Sequence, residues 1–322
     1  MTEAAFVKTN LTRWQKFEKN LDQTRGKNPD ELKELYLHLT DDLAYAETYY
    51  PGSEAAHYLH NLTGKVHKKV YKNTQNKASR FFTFFTEEVP QVAYTCRRQL
   101  GYSALIFILS MLIGAFSARH DENYTRLILG DAYQEMTEQN IANNDPMAVY
   151  KQTGPLDMFF AITFNNVRVS FLAFAAGIFT ALGTGFILFQ NGIMLGAFQY
   201  FFYQKGLFLT SFLTIWIHGT LEISAIIIAG AAGFIMGNSL VFPGTLPRLT
   251  SFTRGAKKAL KLVIGLVPIF ITAGFLESFV TRQTQMPTAA KITIIAASAS
   301  SIIFYFIIYP KLLHKAWKTT PQ

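Results

Sequence analysis

Apolar residues are distributed along this chain in two different ways. In the first 99 residues they recur about one helical turn apart, as in Phe6, Leu11, Trp14, Phe17 and Leu21, which predicts an amphipathic helix. A second helix is expected from Asn28 as N-cap and Pro29 at the first helical position, with Leu32, Leu35, Tyr36, Leu39 and Leu43 as its apolar face. Pro51-Gly52 breaks the pattern, and a third helix follows through Tyr58, Leu62, Val66, Val70 and Tyr71. Beyond residue 100 the apolar residues run almost uninterrupted, at 100–118, 169–189, 193–203, 207–241, 262–280 and 292–309. About 20 apolar residues in a helix cross the hydrocarbon of a bilayer. The pattern therefore predicts an all-α protein: a polytopic transmembrane helical bundle of about six spans over residues 100–322, behind a cytoplasmic amphipathic helical domain at 1–99. The run at 193–203 is short, and either spans with tilt or thinning or is re-entrant. Asn191-Gly192 supplies a turn signal before it.

Charge sharpens this division. Residues 1–99 carry 15 Lys/Arg and 12 Asp/Glu, whereas from Met158 to Pro247 the only ionised side chains are Arg168, Lys205 and Glu222. A soluble domain needs roughly a quarter of its surface charged, and hydrocarbon penalises each charge by several kcal/mol. The segment 119–157 has three basic and seven acidic residues, while 242–261 has five basic residues and no acidic ones. The positive-inside rule then puts both termini and the 242–261 loop in the cytoplasm, with 119–157 as an acidic extracytoplasmic segment. The localisation expected is the inner membrane of a bacterium. The net charge of +9 belongs to membrane orientation and anionic lipid, not to nucleic acid, for which no module signature is present. One cysteine, Cys96, allows no internal disulfide. The polar first 20 residues predict no cleavable signal peptide. Four phenylalanines at 81, 82, 84 and 85 fit an interfacial helix or the soluble domain's own core equally well.

Small residues recur at every fourth position inside the spans: Ala173, Gly177, Ala181 and Gly185; Gly192 and Gly196; Ala229, Gly233 and Gly237. Such faces let helix backbones approach closely, within one chain or across a homodimer. Intramembrane polar residues are few. His218 and Glu222 are one turn apart and share a face with Thr214. Glu277 falls near the outer end of the fifth span, facing water or a neighbouring helix. Asn165, Asn166 and Arg168 lead into the second span. A buried Glu carries a proton, lines a cavity or binds a partner; the competing reading is a His–Glu pair that fixes packing. No catalytic residues, cofactor or metal are expected, because His218 is the only histidine in the spans.

Together these residues resemble the stage II sporulation protein M family. The likeness rests in the soluble part on Phe6-Val7, Trp14, Phe17-Glu18, Glu31-Leu32, Leu35-Tyr36, Asp42-Leu43-Ala44 and Tyr49–Pro51, with Leu59, Asn61-Leu62, His67 and Tyr71. In the spans it rests on Asn165-Asn166, Asn191-Gly192, His218-Gly219 with Glu222, Gly230 with Gly233, and Glu277. The resemblance implies a multispan bacterial inner-membrane protein that scaffolds other membrane or cell-envelope proteins, including cell-wall hydrolases, without being an enzyme. The alternative is a channel or transporter built on His218 and Glu222.

Overall fold

A computed structural model describes residues 2–22, 29–70, 77–121, 123–151, 153–283 and 285–319, and every regular element among them is helical. The chain forms two compact units, Met1–Arg80 and Phe81–Gln322.

The first unit contains α1 (Glu3–Asp22), α2 (Pro29–Tyr49) and α3 (Glu54–Val70). The one-turn spacing of its apolar residues puts Phe6, Trp14, Leu39, Ala46, Leu59, Leu62 and Val66 in one core. Polar contacts hold its rim. Trp14 Nε1 donates to Asp42 Oδ2 at 2.8 Å, and Arg13 pairs with the same carboxylate. Lys65 Nζ and the Tyr58 hydroxyl both donate to Glu18, which holds the Glu18 carboxyl below its usual range, the lysine hydrogen bond contributing most. Asn28, and the side chains of Leu21, Leu32, Leu35, Val70 and Tyr71, lie outside the described residues.

The second unit begins inside α4 (Lys77–Thr83), which passes through a π turn (Phe84–Glu88) into α5 (Val89–Thr95). The aromatic run does not join the core of the first unit. Phe81 and Phe82 are exposed, whereas Phe84 packs on the bundle core beside Val89. The hydroxyls of Tyr305 and Tyr309 donate to the carbonyls of Phe85 and Thr86.

Five helical segments are long and apolar enough to cross a membrane: 97–120, 155–204, 208–241, 248–281 and 288–316. They are α6 (Arg97–His120); α9 (Pro155–Ala175) with α10 (Thr180–Gln204); α11 (Phe208–Val241); α12 (Arg248–Phe275) with a π turn at Leu276–Thr281; and α13 (Thr288–Ile303), which runs through another π turn into α14 (Tyr309–Thr319). Between α6 and α9 lie α7 (Tyr124–Leu129), α8 (Asp131–Ala142) and a 3-10 turn, Ala148–Lys151.

The segment 155–204 makes two passes. A 3-10 turn at Ala176–Phe179 ends with Thr180 at φ +67°, and Thr184 Oγ1 then donates back to the carbonyl of Ala173. The chain has therefore reversed, and the bundle has six passes. This corrects the expected turn at Asn191-Gly192. Both residues lie inside α10, where Asn191 Nδ2 donates to the Ile187 carbonyl. The expected span at 169–189 straddles the real turn, and 193–203 is the second half of a helix of full spanning length. Asn-Gly is a strong turn pair in water. Here Gly192 serves close packing instead, since a Cβ on it would stand 2.6 Å from Ser110 Cβ on α6.

The long helix α11 is the bundle's centre, buried along most of its length between Ser211 and Gly237. Its later half is packed backbone to backbone. Gly233 abuts Thr184 Oγ1 and the carbonyl of Ala173, Gly237 abuts Thr180, and Gly177 abuts the carbonyl of Gly233. Ala229 is fully buried beside them. Gly196 presses on the carbonyl of Met111 in α6. Of the four small residues expected on one face, Ala173 and Gly177 do this work. The reversal carries the other two onto α10, where Ala181 is exposed and shares in the packing only through its backbone nitrogen at Gly237, and a Cβ on Gly185 would meet nothing within 4 Å.

Candidate functional site

The earlier half of α11 meets its neighbours differently. Thr214, His218 and Glu222 recur every fourth residue, so they form one polar stripe. Glu222 is 14 residues into α11, about 21 Å along a helix of about 51 Å at 1.5 Å per residue. It therefore lies deep in the span.

Three elements converge on this stripe. From α9, Asn166 is buried and its Nδ2 donates to Glu222 Oε1. From the π turn after α12, Glu277 brings a carboxyl oxygen within 4.8 Å of one of Glu222, and its Oε1 lies 3.7 Å from His218 Nε2. From the same turn, Thr281 Oγ1 lies 3.1 Å from His218 Nδ1. From α13, the buried Lys291 Nζ donates to Thr214 Oγ1 at 3.2 Å. The π turn is what makes this possible. Its extra residue per turn widens the helix at Glu277, Ser278 and Thr281, and such turns concentrate at functional sites.

The hydrogen bonds assign the imidazole tautomer. Thr281 donates its one hydroxyl proton to the carbonyl of Leu276 at 3.1 Å. Its oxygen therefore accepts from Nδ1–H of His218, and the Nε2 lone pair is left facing Glu277. Ligand atoms of His218, Glu222 and Glu277 all lie within 4.8 Å of one another. Among the described residues this is the one such group of three.

The 119–157 segment closes over the stripe. The Tyr150 ring meets the His218 ring edge-on, with centroids 5.7 Å apart. Burial pushes the Tyr150 phenol well above its usual range, so it stays neutral. Tyr150 packs with Met147, Phe201, Phe202 and Ile215. Arg282 donates to the carbonyl of Thr153, and Lys205 pairs with Glu138 at 2.9 Å, so the middle and the later part of the segment are tied to the bundle.

Of the residues singled out in the sequence, His218, Glu222 and Glu277 come together, and Thr214 stands one turn away. Asn166 joins them as a direct partner of Glu222; it does not mark a span entry, because α9 began eleven residues earlier at Pro155. Asn165 and Arg168 are exposed, away from the cluster. Thr281, Lys291 and Tyr150 are additional members. Lys291 carries a signal, as one of two cations, with Arg282, in the loop 281–291, a mild exception to the positive-inside count.

The sequence profile described as Stage II sporulation protein M matches residues 103–282, more than half of the chain and the part that contains the cluster. Residues 4–72 match a separate profile described as Domain of unknown function (DUF8413). The two matches fall on the two separate units of the chain. No curated protein and no solved structure matches.

Proposed function

The chain belongs to the Stage II sporulation protein M family, and from that membership and the two-unit architecture we propose that it is a non-enzymatic scaffold in the inner membrane of a bacterium. On this reading the six-pass unit is the platform and the N-terminal unit is a cytoplasmic docking module for other membrane or cell-envelope proteins. Both termini are cytoplasmic, in keeping with the basic 242–261 loop and the acidic 119–157 segment.

The observation that carries the proposal is the separateness of the N-terminal unit. It has its own aromatic core, its own polar rim and its own family profile, none of which a membrane pore requires. The closure of the buried polar groups on one another supports the same reading. Glu222 is engaged by Asn166, His218 by Thr281 and Lys291 by Thr214, an arrangement that fixes helix register.

The test is photo-crosslinking in intact cells from single exposed positions on each unit, such as Thr40 and Phe160. A scaffold gives recurrent, stoichiometric partners from the N-terminal positions. Self-crosslinks alone would overturn the proposal.

One observation favours a second reading. Two carboxyls and an imidazole deep in a span are the groups a proton or cation carrier would use. The readings part on flux, which the scaffold does not support.

A further inference from the structure

The His218, Glu222 and Glu277 cluster has a property that neither register nor scaffolding requires. We infer that these three side chains bind one divalent transition-metal cation, zinc being the type case, which ties α11 to the π turn after α12. The inference stands whether or not the protein is a scaffold.

Geometry comes first. In a tetrahedral zinc site with bonds of about 2.1 Å, neighbouring ligand atoms are about 3.4 Å apart. His218 Nε2 and Glu277 Oε1 are 3.7 Å apart, close to that edge. The full spread of 4.8 Å closes by side-chain rotation of about 1 Å. The donor set is one imidazole nitrogen and two carboxylate oxygens, which suits zinc and its first-row neighbours better than calcium or magnesium. Three protein ligands leave a fourth position open.

The outer contacts are those of a metal site. A ligating histidine donates its other ring N–H to a fixed acceptor, which sets the tautomer and aims the lone pair. His218 does this through Thr281, itself anchored on Leu276. Glu222 is steadied by the Asn166 amide. Register alone would not require the bare Nε2 to face two carboxyls.

Charge gives the third argument. Two carboxylates side by side in hydrocarbon need a counter-charge, and Lys291 is committed to Thr214 one turn away. A divalent cation neutralises both at once.

The rival occupant is a proton shared between Glu222 and Glu277. The experiment purifies the full chain with a non-histidine tag in chelator-free mild detergent, before and after incubation with Zn²⁺. Bound metal is counted by plasma mass spectrometry, and its ligands are read by X-ray absorption. The result expected is about one equivalent per chain with a nitrogen/oxygen shell near 2.0–2.2 Å. Metal content falls at least about tenfold in Glu277→Gln while Thr214→Val keeps it. Metal-free protein after zinc incubation, equal metal in Glu277→Gln, a sulfur ligand or a solvent-only shell would each overturn the inference. If Glu277→Gln aggregates, the wild-type absorption spectrum decides alone.

Discussion

The two halves of α11 solve the same packing problem in opposite ways. From Ala225 to Gly237 the helix is apolar and small, and its neighbours approach until backbone touches backbone. From Ser211 to Glu222 it carries polar side chains, and its neighbours are held by hydrogen bonds through Asn166, Thr281 and Lys291. In hydrocarbon there is no hydrophobic force between helices, so close contact or hydrogen bonding must supply the attraction. The difference teaches what each half tolerates. The small half is intolerant of added volume and the polar half of a missing partner.

The largest effect expected is from Gly233→Leu. Its side chain would be driven into Thr184 and the backbone of Ala173, which have no room to withdraw, and overpacking costs about 3 kcal/mol or more at such a site. Thermal melting followed by fluorescence-detected size exclusion should show a collapsed monodisperse fraction. Gly185→Leu, with open space around it, should melt as wild type. If both variants behaved alike, the close-packed half would not be as described.

Removing a partner from the polar half comes next. Asn166→Ala should cost about 1–3 kcal/mol by stripping a donor from partly buried Glu222. Asn165→Ala, one residue away and exposed, should cost nothing in the same assay. Thr281→Val should cost about 1 kcal/mol, because it removes the acceptor for His218 Nδ1–H. Equal melting of Asn166→Ala and Asn165→Ala would break the comparison between the halves.

The smallest effect lies in the N-terminal unit, on its polar rim. The Glu18 carboxyl is held below its ordinary value of 4.5, chiefly by the Lys65 hydrogen bond. The unfolded chain therefore takes up its proton first as pH falls. The contribution of Glu18 is complete above the unfolded value and is lost as pH drops through the folded one. The group is partly exposed, so the effect is a few tenths of a kcal/mol. Glu18→Gln should flatten the acid side of the N-terminal unit's stability profile below about pH 5, read by the near-ultraviolet signal of Trp14.

Much of this was written locally. Charge and apolar length predict six passes, and the spacing of His218 and Glu222 puts them on one face. What local pattern could not supply was the partner set. Glu277 is visible as an intramembrane acid, but its approach to His218 depends on a π turn that has no sequence signature. Asn166 read as a span entry because the apolar run looked to begin at Val169; the polar pair and Arg168 interrupt a helix that tertiary packing sustains. The reversal at Thr180 was hidden for the opposite reason. Ala176-Gly177 is a weaker turn signal than Asn191-Gly192, and in the bundle the stronger pair was used to let α10 lie against α6. The positive φ at Thr180 is local strain held in place by that packing.

The most direct test of the scaffold account is ion flux. Purified protein in liposomes would be assayed for movement of protons and divalent cations, with wild type beside Glu222→Gln. The account predicts no flux above protein-free liposomes from either. Flux in wild type that Glu222→Gln abolishes would contradict it, and would make the buried cluster a transport site.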